Sequence, residues 1–248
     1  MQQPLGKIVF GTLSDYLSKI QHTPPSTKSV QKKIATLEGC SYLCINCFSM
    51  KPKKILMLVA LEAELGTENV AILAKQCDLR MTGMGKLLAF EATLAALKGK
   101  EYDAIINIGT CGSFRHPFAT VLRPKCVAQG DVYIDPESVF YSEPEILSTG
   151  DEGCAIASSD NFIGADTPET LRRLIEPYDC MDMESYAIVR AIRFHFSQQG
   201  TDAPPIYMIK VVSDGCDGTV DDWQTRIERL RPTLLAAAQQ LLEEINSK

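Results

Sequence analysis

Ile55-Leu56-Met57-Leu58-Val59-Ala60 is the stretch on which the fold is decided. Its residues are apolar without a break. The apolar–polar alternation of a strand with one wet face is missing, so the run fits a parallel strand covered on both faces. It empties into Leu61-Glu62-Ala63-Glu64, and the pattern recurs downstream. Thr82-Gly83-Met84-Gly85-Lys86 is a glycine turn opening a predicted helix over 87–97, and a second buried strand over 103–108 leads into Gly109-Thr110-Cys111-Gly112-Ser113. Further strands are expected over 121–128, 154–157 and 206–212, and helices over 168–175, 185–196 and 222–245. Strands alternating with helices predict an α/β domain with a central mixed, largely parallel sheet flanked by helices. Ligands bind such sheets beyond the carboxyl ends of the strands. Glu64, Thr82, Gly109, Glu184 and Asp214 all fall just past strand or turn positions of that sort.

Composition narrows the class. The 248 residues are 45% hydrophobic and 23% charged, enough for a sizeable core. A net charge of −6 argues against bulk binding to nucleic acid or an anionic membrane surface. No apolar run approaches the length of a membrane span. The nine cysteines lie mostly in apolar segments, which fits reduced, buried thiols and a cytoplasmic location better than a disulfide framework.

Residues 1–50 read as a poorly ordered N-terminal extension ahead of a domain at 51–248. The stretch 21–33 is polar, with Pro24-Pro25, and has linker composition. Upstream, Val9, Leu13, Tyr16, Leu17 and Ile20 share one helical face, and no signal-peptide core precedes a cleavage site. Met50-Lys51-Pro52-Lys53-Lys54 leads straight into the first strand, as a start codon would. Cys40, Cys44 and Cys47 have a spacing used to hold iron–sulfur clusters, but the large barrel that normally follows is missing. They read as plain thiols, and neither a metal nor a cofactor is expected. His116 and His195 lack ligand spacing as well.

Cys180-Met181-Asp182-Met183-Glu184-Ser185-Tyr186 carries the chemical signal. At the mouth of a helix, the Glu184 carboxylate can accept hydrogen bonds from a vicinal diol, and Met183 offers a polarizable, apolar floor to a sugar ring. Taken alone, the same residues serve as a helix-start acid and core filler.

The motifs in order are Ala60-Leu61-Glu62-Ala63-Glu64, Thr-Gly-Met-Gly-Lys at 82–86, Asn-Ile-Gly-Thr-Cys-Gly at 107–112, Ser-Asp-Asn-Phe-Ile at 159–163, Asp-Met-Glu at 182–184 and Lys-Val-Val-Ser-Asp-Gly at 210–215. The series closely resembles the nucleoside phosphorylase/nucleosidase superfamily, nearest to the 5′-methylthioadenosine/S-adenosylhomocysteine nucleosidases. That resemblance implies hydrolysis of the N-glycosidic bond of an adenine nucleoside. Asp214, paired with Ser213, would be the general acid at adenine N7, and Glu64 the general base that activates water at C1′. Glu184 would hold the ribose hydroxyls over Met183, with Thr82 and Lys210 helping to hold the water. Phe162 would stack on adenine, and the main chain around Ile163 would read its edge. Lys210 stands where relatives usually carry Arg and lacks its planar fork. The superfamily also implies a homodimer in which a neighbouring subunit often closes the pocket.

Phosphorylases of the superfamily need cations for an anionic nucleophile, typically an Arg at the position of Asn107. Asn107 is neutral and Glu64 would repel phosphate, so water is the expected nucleophile. Only 17 residues separate Glu64 from Thr82, shorter than in the longer methylthioadenosine nucleosidases, which leaves the 5′ side of the substrate open. Leu61, Phe114 or a partner subunit are candidates for an apolar 5′ site, while Asp166, Glu169 and the loop 133–144 would admit other nucleosides. A phosphorylase, or a non-catalytic nucleoside-binding protein of the same fold, is the alternative.

Overall fold

A computed structural model describes residues 52–135, 138–139, 145–147 and 153–248. The expected extension at residues 1–50, its three cysteines and most of the loop 133–144 lie outside the described residues.

In chain order the strands are β1 (Ile55–Val59), β2 (Asp78–Met81), β3 (Ala104–Gly112), β4 (Val121–Leu122), β5 (Cys126–Gln129), β6 (Tyr133–Asp135), β7 (Ser138–Val139), β8 (Glu145–Ile146), β9 (Ala155–Ser158), β10 (Cys180–Asp182) and β11 (Ile206–Asp214). The helices are α1 (Glu62–Leu65), α2 (Thr67–Leu73), α3 (Lys86–Leu97), α4 (Glu169–Ile175), α5 (Ser185–Gln199) and α6 (Val220–Asn246). The main sheet runs β2-β1-β3-β10-β9-β5-β8, with β11 on the other edge of β3 and β4 beyond it. The ladders β1–β2, β1–β3, β3–β11, β9–β10 and β5–β9 are parallel, while β3–β10, β4–β11 and β5–β8 are antiparallel. The expected mixed, largely parallel sheet is what forms.

Side-chain alternation explains why the central strands lack polar alternation. Leu56 and Leu58 of β1 point to one face, with Ile105, Met208 and Val212, under α3 and α5. Ile55, Met57 and Val59 point to the other, with Ile106, Ile108 and Ile209, under α6. Each face is covered, so each parity must be apolar. A third cluster joins β5 and β9 to α4 through Ala128, Ala157, Leu171 and Ile175.

One strand positions the site. β3 pairs with β1 only as far as Asn107, yet follows β11 as far as Gly112. β10 takes up the edge that β1 has left, meeting β3 at Gly112. Between those two ladders β3 has a free edge, and there the carboxyl ends of β1, β10 and β11 converge.

Several elements differ from expectation for local reasons. Pro124 has no N–H to give a ladder, and the single strand expected over 121–128 is divided into β4 and β5. β2 had no apolar run to reveal it, because Asp78 and Leu79 are only partly buried and Arg80 and Met81 are exposed. β10, read as the mouth of a helix, is a three-residue strand before α5. α6 begins at Val220 rather than 222, fixed by a capping box: Asp222 N–H faces Thr219 Oγ1 at 3.3 Å, and Thr219 N–H donates to Asp222 Oδ2 at 2.8 Å. Among the described residues no helix is long and apolar enough to cross a membrane.

Candidate active site

A cavity of about 340 Å³ opens at the free edge of β3. Its walls include Glu64, Glu184 and Asp214, together with the carboxylates of Asp160 and Asp182 and with Leu61, Phe162, Ile163, Met183 and Ser213. Glu64, Glu184 and Asp214 are buried. Such burial is costly without partners, and each acid has them.

Glu64 sits on α1, directly after β1. Its Oε1 accepts from Thr110 N–H at 2.6 Å and from Thr110 Oγ1 at 2.7 Å, and Leu61 N–H reaches Oε2 at 3.4 Å. The Thr110 N–H belongs to the part of β3 that β1 no longer pairs, so the carboxylate replaces a strand. Gly109 lets it approach: a Cβ there would lie 3.0 Å from Oε1.

Asp214 ends β11. Ser213 Oγ lies 2.7 Å from its Oδ2, and Cys216 N–H donates to its Oδ1 at 2.9 Å. The second bond closes an Asx turn, for which Cys216 takes φ 60°, in the left-handed region. A Cβ on Gly112 would meet Cys216 Sγ at 2.7 Å and Asp214 Oδ1 at 3.2 Å, so glycine is required by close approach here too. Glu64 thus packs on Gly109 and Asp214 on Gly112, three residues apart on one strand. At about 3.3 Å per residue the two glycines lie roughly 10 Å apart along β3.

Glu184 stands at the N-cap of α5 and accepts Gly85 N–H at 2.8 Å. Gly83 (φ 79°) and Gly85 (φ 93°) provide the left-handed turn that aims this N–H inward. Burial, then the negative charge of Asp182, push the Glu184 carboxyl up to about 8, against the opposing pull of Gly85 N–H and Lys210.

Lys210 and Thr82 are not among the residues lining the cavity. The Lys210 ammonium is buried, 2.8 Å from Asp182 Oδ2 and 3.4 Å from Asn107 Oδ1. Burial alone would depress its pKa, but the charges of Asp182, Glu64 and Glu184 reverse the shift and raise it. Asp182 is held low despite burial by Lys210, Ser158 and Ser185. Asn107 Nδ2 donates to Ser185 Oγ at 2.8 Å, completing a network that docks the start of α5 onto the sheet. Asn107 is not among the residues lining the cavity. Thr82 Oγ1 is turned toward Val59 O and Gly83 O, at 3.4 and 3.1 Å. Thr110 is the hydroxyl that touches Glu64.

Phe114 likewise lies away from the cavity, packed on the third core cluster under the Arg172 guanidinium, 5.0 Å from the ring centroid. Asp166 and Glu169 are not among the lining residues either. Met84, Val220 and Trp223 do line it. Trp223, the chain's one tryptophan, donates Nε1–H to Thr110 Oγ1 at 3.1 Å. Its sequence signal was present but weak: a lone indole in the first turn of the last helix, with nothing in the linear order tying it to Thr110.

The mixed, largely parallel sheet flanked by helices is that of the nucleoside phosphorylase/nucleosidase fold. Among solved structures of that fold, the chain is similar to the futalosine hydrolase of Helicobacter pylori strain 26695, at 15% identity and TM-score 0.62, covering 78% of this chain and 98% of that one. It is also similar to the 5′-methylthioadenosine/S-adenosylhomocysteine nucleosidase of Neisseria meningitidis in complex with methylthio-immucillin-A, at 18% identity and TM-score 0.58, over 79% and 100% of the two chains. The corresponding enzyme of Colwellia psychrerythraea 34H, in complex with adenine, gives 17% identity and TM-score 0.60 over 80% and 98%. At such identities the likeness establishes the fold. No protein-family model matches the sequence, and no curated protein matches it.

Proposed function

We propose that this chain hydrolyses the N-glycosidic bond of an adenine nucleoside, with Asp214 as general acid and Glu64 as general base. The observation that carries the reading is the meeting of Glu64, Glu184 and Asp214 in one cavity, whose remaining lining is mostly apolar apart from Asp160, Asn161, Asp182, Thr110 and Ser213. Breaking the bond leaves a ribosyl cation and a poor anionic leaving group. Asp214 supplies a proton or hydrogen bond to the purine, so the base departs neutral. Glu64 takes a proton from water at C1′, and its negative charge stabilises the cationic sugar. Glu184 accepts the ribose hydroxyls above Met183, and Phe162 packs on the base.

Lys210 acts from behind the wall. Its charge bears on both Glu64 and Glu184, while its hydrogen bonds go to Asp182 and Asn107. Water is the nucleophile in this reading because the cavity offers a carboxylate where phosphate would need a cation. The solved relatives that bind methylthio-immucillin-A and adenine support a 5′-alkylthio adenine nucleoside as substrate, with Leu61, Met84, Val220 and Trp223 as an apolar surface for the 5′ group.

The test is adenine release from a panel of 5′-substituted adenosines, beginning with 5′-methylthioadenosine, in buffers with and without phosphate. Release independent of phosphate is expected; release that requires phosphate would make the protein a phosphorylase.

The same reading includes a homodimer. Met84, Leu87 and Leu88, at the cavity-side end of α3, are 56%, 79% and 52% exposed, an apolar surface suited to a second copy. Leu87→Glu should convert the dimer to a monomer in sedimentation equilibrium; a wild-type protein already monomeric at micromolar concentration would refute this part.

A further inference from the structure

In the proposed reaction Trp223 and Val220 of α6 serve only as apolar surface for the 5′ group, yet α6 also reaches Glu64 from two directions. Arg231 of α6 donates Nε–H and Nη2–H to Ala63 O, at 3.1 and 3.0 Å, and so fixes the main chain beside Glu64. Gly66 makes room for that side chain, since a Cβ there would lie 2.9 Å from Arg231 Cδ. One turn from the start of α6, Trp223 Nε1–H donates to Thr110 Oγ1, which in turn faces Glu64 Oε1.

The direction of this chain is fixed by chemistry. An indole N–H can only donate, and a threonine hydroxyl has one hydrogen. Thr110 Oγ1 must therefore accept from Trp223, leaving its hydrogen for Glu64 Oε1, 2.7 Å away. Thr110 N–H occupies the same carboxylate oxygen at 2.6 Å. Oε1 is thereby saturated. Oε2, whose contact to Leu61 N–H is a long 3.4 Å, is the oxygen left to receive a proton.

We infer that Trp223 is a positioning residue for the proposed base: its indole N–H locks the Thr110 hydroxyl toward Glu64 Oε1 and so presents Oε2 to the nucleophilic water. Without that donor the hydroxyl is free to rotate among its staggered positions and to donate into the cavity instead. The inference rests on the hydrolase reading above. It assigns no contact between Trp223 and the reacting atoms.

A double-mutant cycle tests it, using Trp223→Phe, Thr110→Val and the pair, with adenine release from 5′-methylthioadenosine as the assay. Trp223→Phe keeps the apolar ring and loses the donor. It should lower kcat about tenfold while leaving KM within about twofold. In the Thr110→Val background the same substitution should change kcat by less than about twofold, because the path has already been cut. Additive losses in the cycle, or an unchanged kcat in Trp223→Phe, would overturn the inference while the hydrolase reading stands. A wild-type protein that releases base from no adenine nucleoside would overturn both.

If Trp223→Phe fails to fold, the single indole N–H resonance of ¹⁵N-labelled wild-type protein gives an independent reading. It should exchange slowly with solvent, and faster in Thr110→Val. Equal exchange rates in the two proteins would overturn the inference.

Discussion

At the scale of single residues, Glu184 has the environment with the clearest chemical consequence. Its carboxyl is pushed up to about 8, first by burial and then by Asp182. Burial therefore favours the protonated form of Glu184 in the unliganded protein. In the proposed reaction a ribose diol supplies two donors that favour the ionised form, so sugar binding would release a proton. Affinity should rise with pH toward about 8, by up to roughly tenfold per unit, and level off above. Fluorescence titration of Asp214→Asn with 5′-methylthioadenosine between about pH 6 and pH 9 measures this, with Trp223 as the built-in probe. A flat profile would contradict it, and Glu184→Gln in the same background should abolish the slope. The sign for stability follows from the same shift. A folded-state value raised from 4.5 to about 8 contributes stability below 4.5 that is lost as pH rises through about 8. Relative to Glu184→Gln, the unliganded protein should lose thermal stability over that window.

Among elements, β3 and the start of α5 set the geometry. Gly112→Ala places a methyl group 2.7 Å from Cys216 Sγ and 3.2 Å from Asp214 Oδ1, so the turn holding the acid must shift. Overpacking of this kind should cost about 1–3 kcal/mol of stability and at least tenfold in adenine release. An Ala variant with wild-type kinetics would show that the turn gives way freely. At α5, Lys210→Met leaves the Asp182 carboxylate buried and unpaired, for a loss of about 3–5 kcal/mol in chemical denaturation. Replacing both residues with apolar ones should restore much of it, because no orphan charge is left. Failure of the double variant to recover would place the importance of the pair outside its electrostatics.

These elements also show where the sequence was readable. β1, β3 and β11 announced themselves because both faces are covered, and continuous burial leaves continuous apolar sequence. That Leu61, Glu64, Phe162, Ile163, Met183, Glu184, Ser213 and Asp214 line one cavity was legible because they flank such strands and stand in ordered motifs. β2 escaped notice because partial burial blurs its pattern. Thr110 and Trp223 were not legible because what joins them to Glu64 is a hydrogen bond across 113 residues of chain. Thr82 stands in the more conspicuous glycine turn, but its hydroxyl faces Val59 O and Gly83 O, and the hydroxyl beside Glu64 is that of Thr110. Lys210 carried a charge that looked available for water, whereas the fold spends it on Asp182.

The whole molecule is an arrangement that brings distant acids to one opening in a sheet. β1 stops early, β10 enters late, and the free length of β3 between them receives Glu64 on one side and Asp214 on the other. α6 then closes the back of the site, holding α1 through Arg231 and facing the cavity with Trp223. The division of labour among the three carboxylates is the central claim. It is tested most directly by steady-state adenine release from 5′-methylthioadenosine in phosphate-free buffer, comparing wild type with Glu64→Gln and Asp214→Asn, with binding followed in parallel through Trp223 fluorescence. The account predicts that wild type turns over, that each variant loses about a hundredfold or more in kcat, and that both still bind the nucleoside. Variants that bind and turn over as fast as wild type would contradict it.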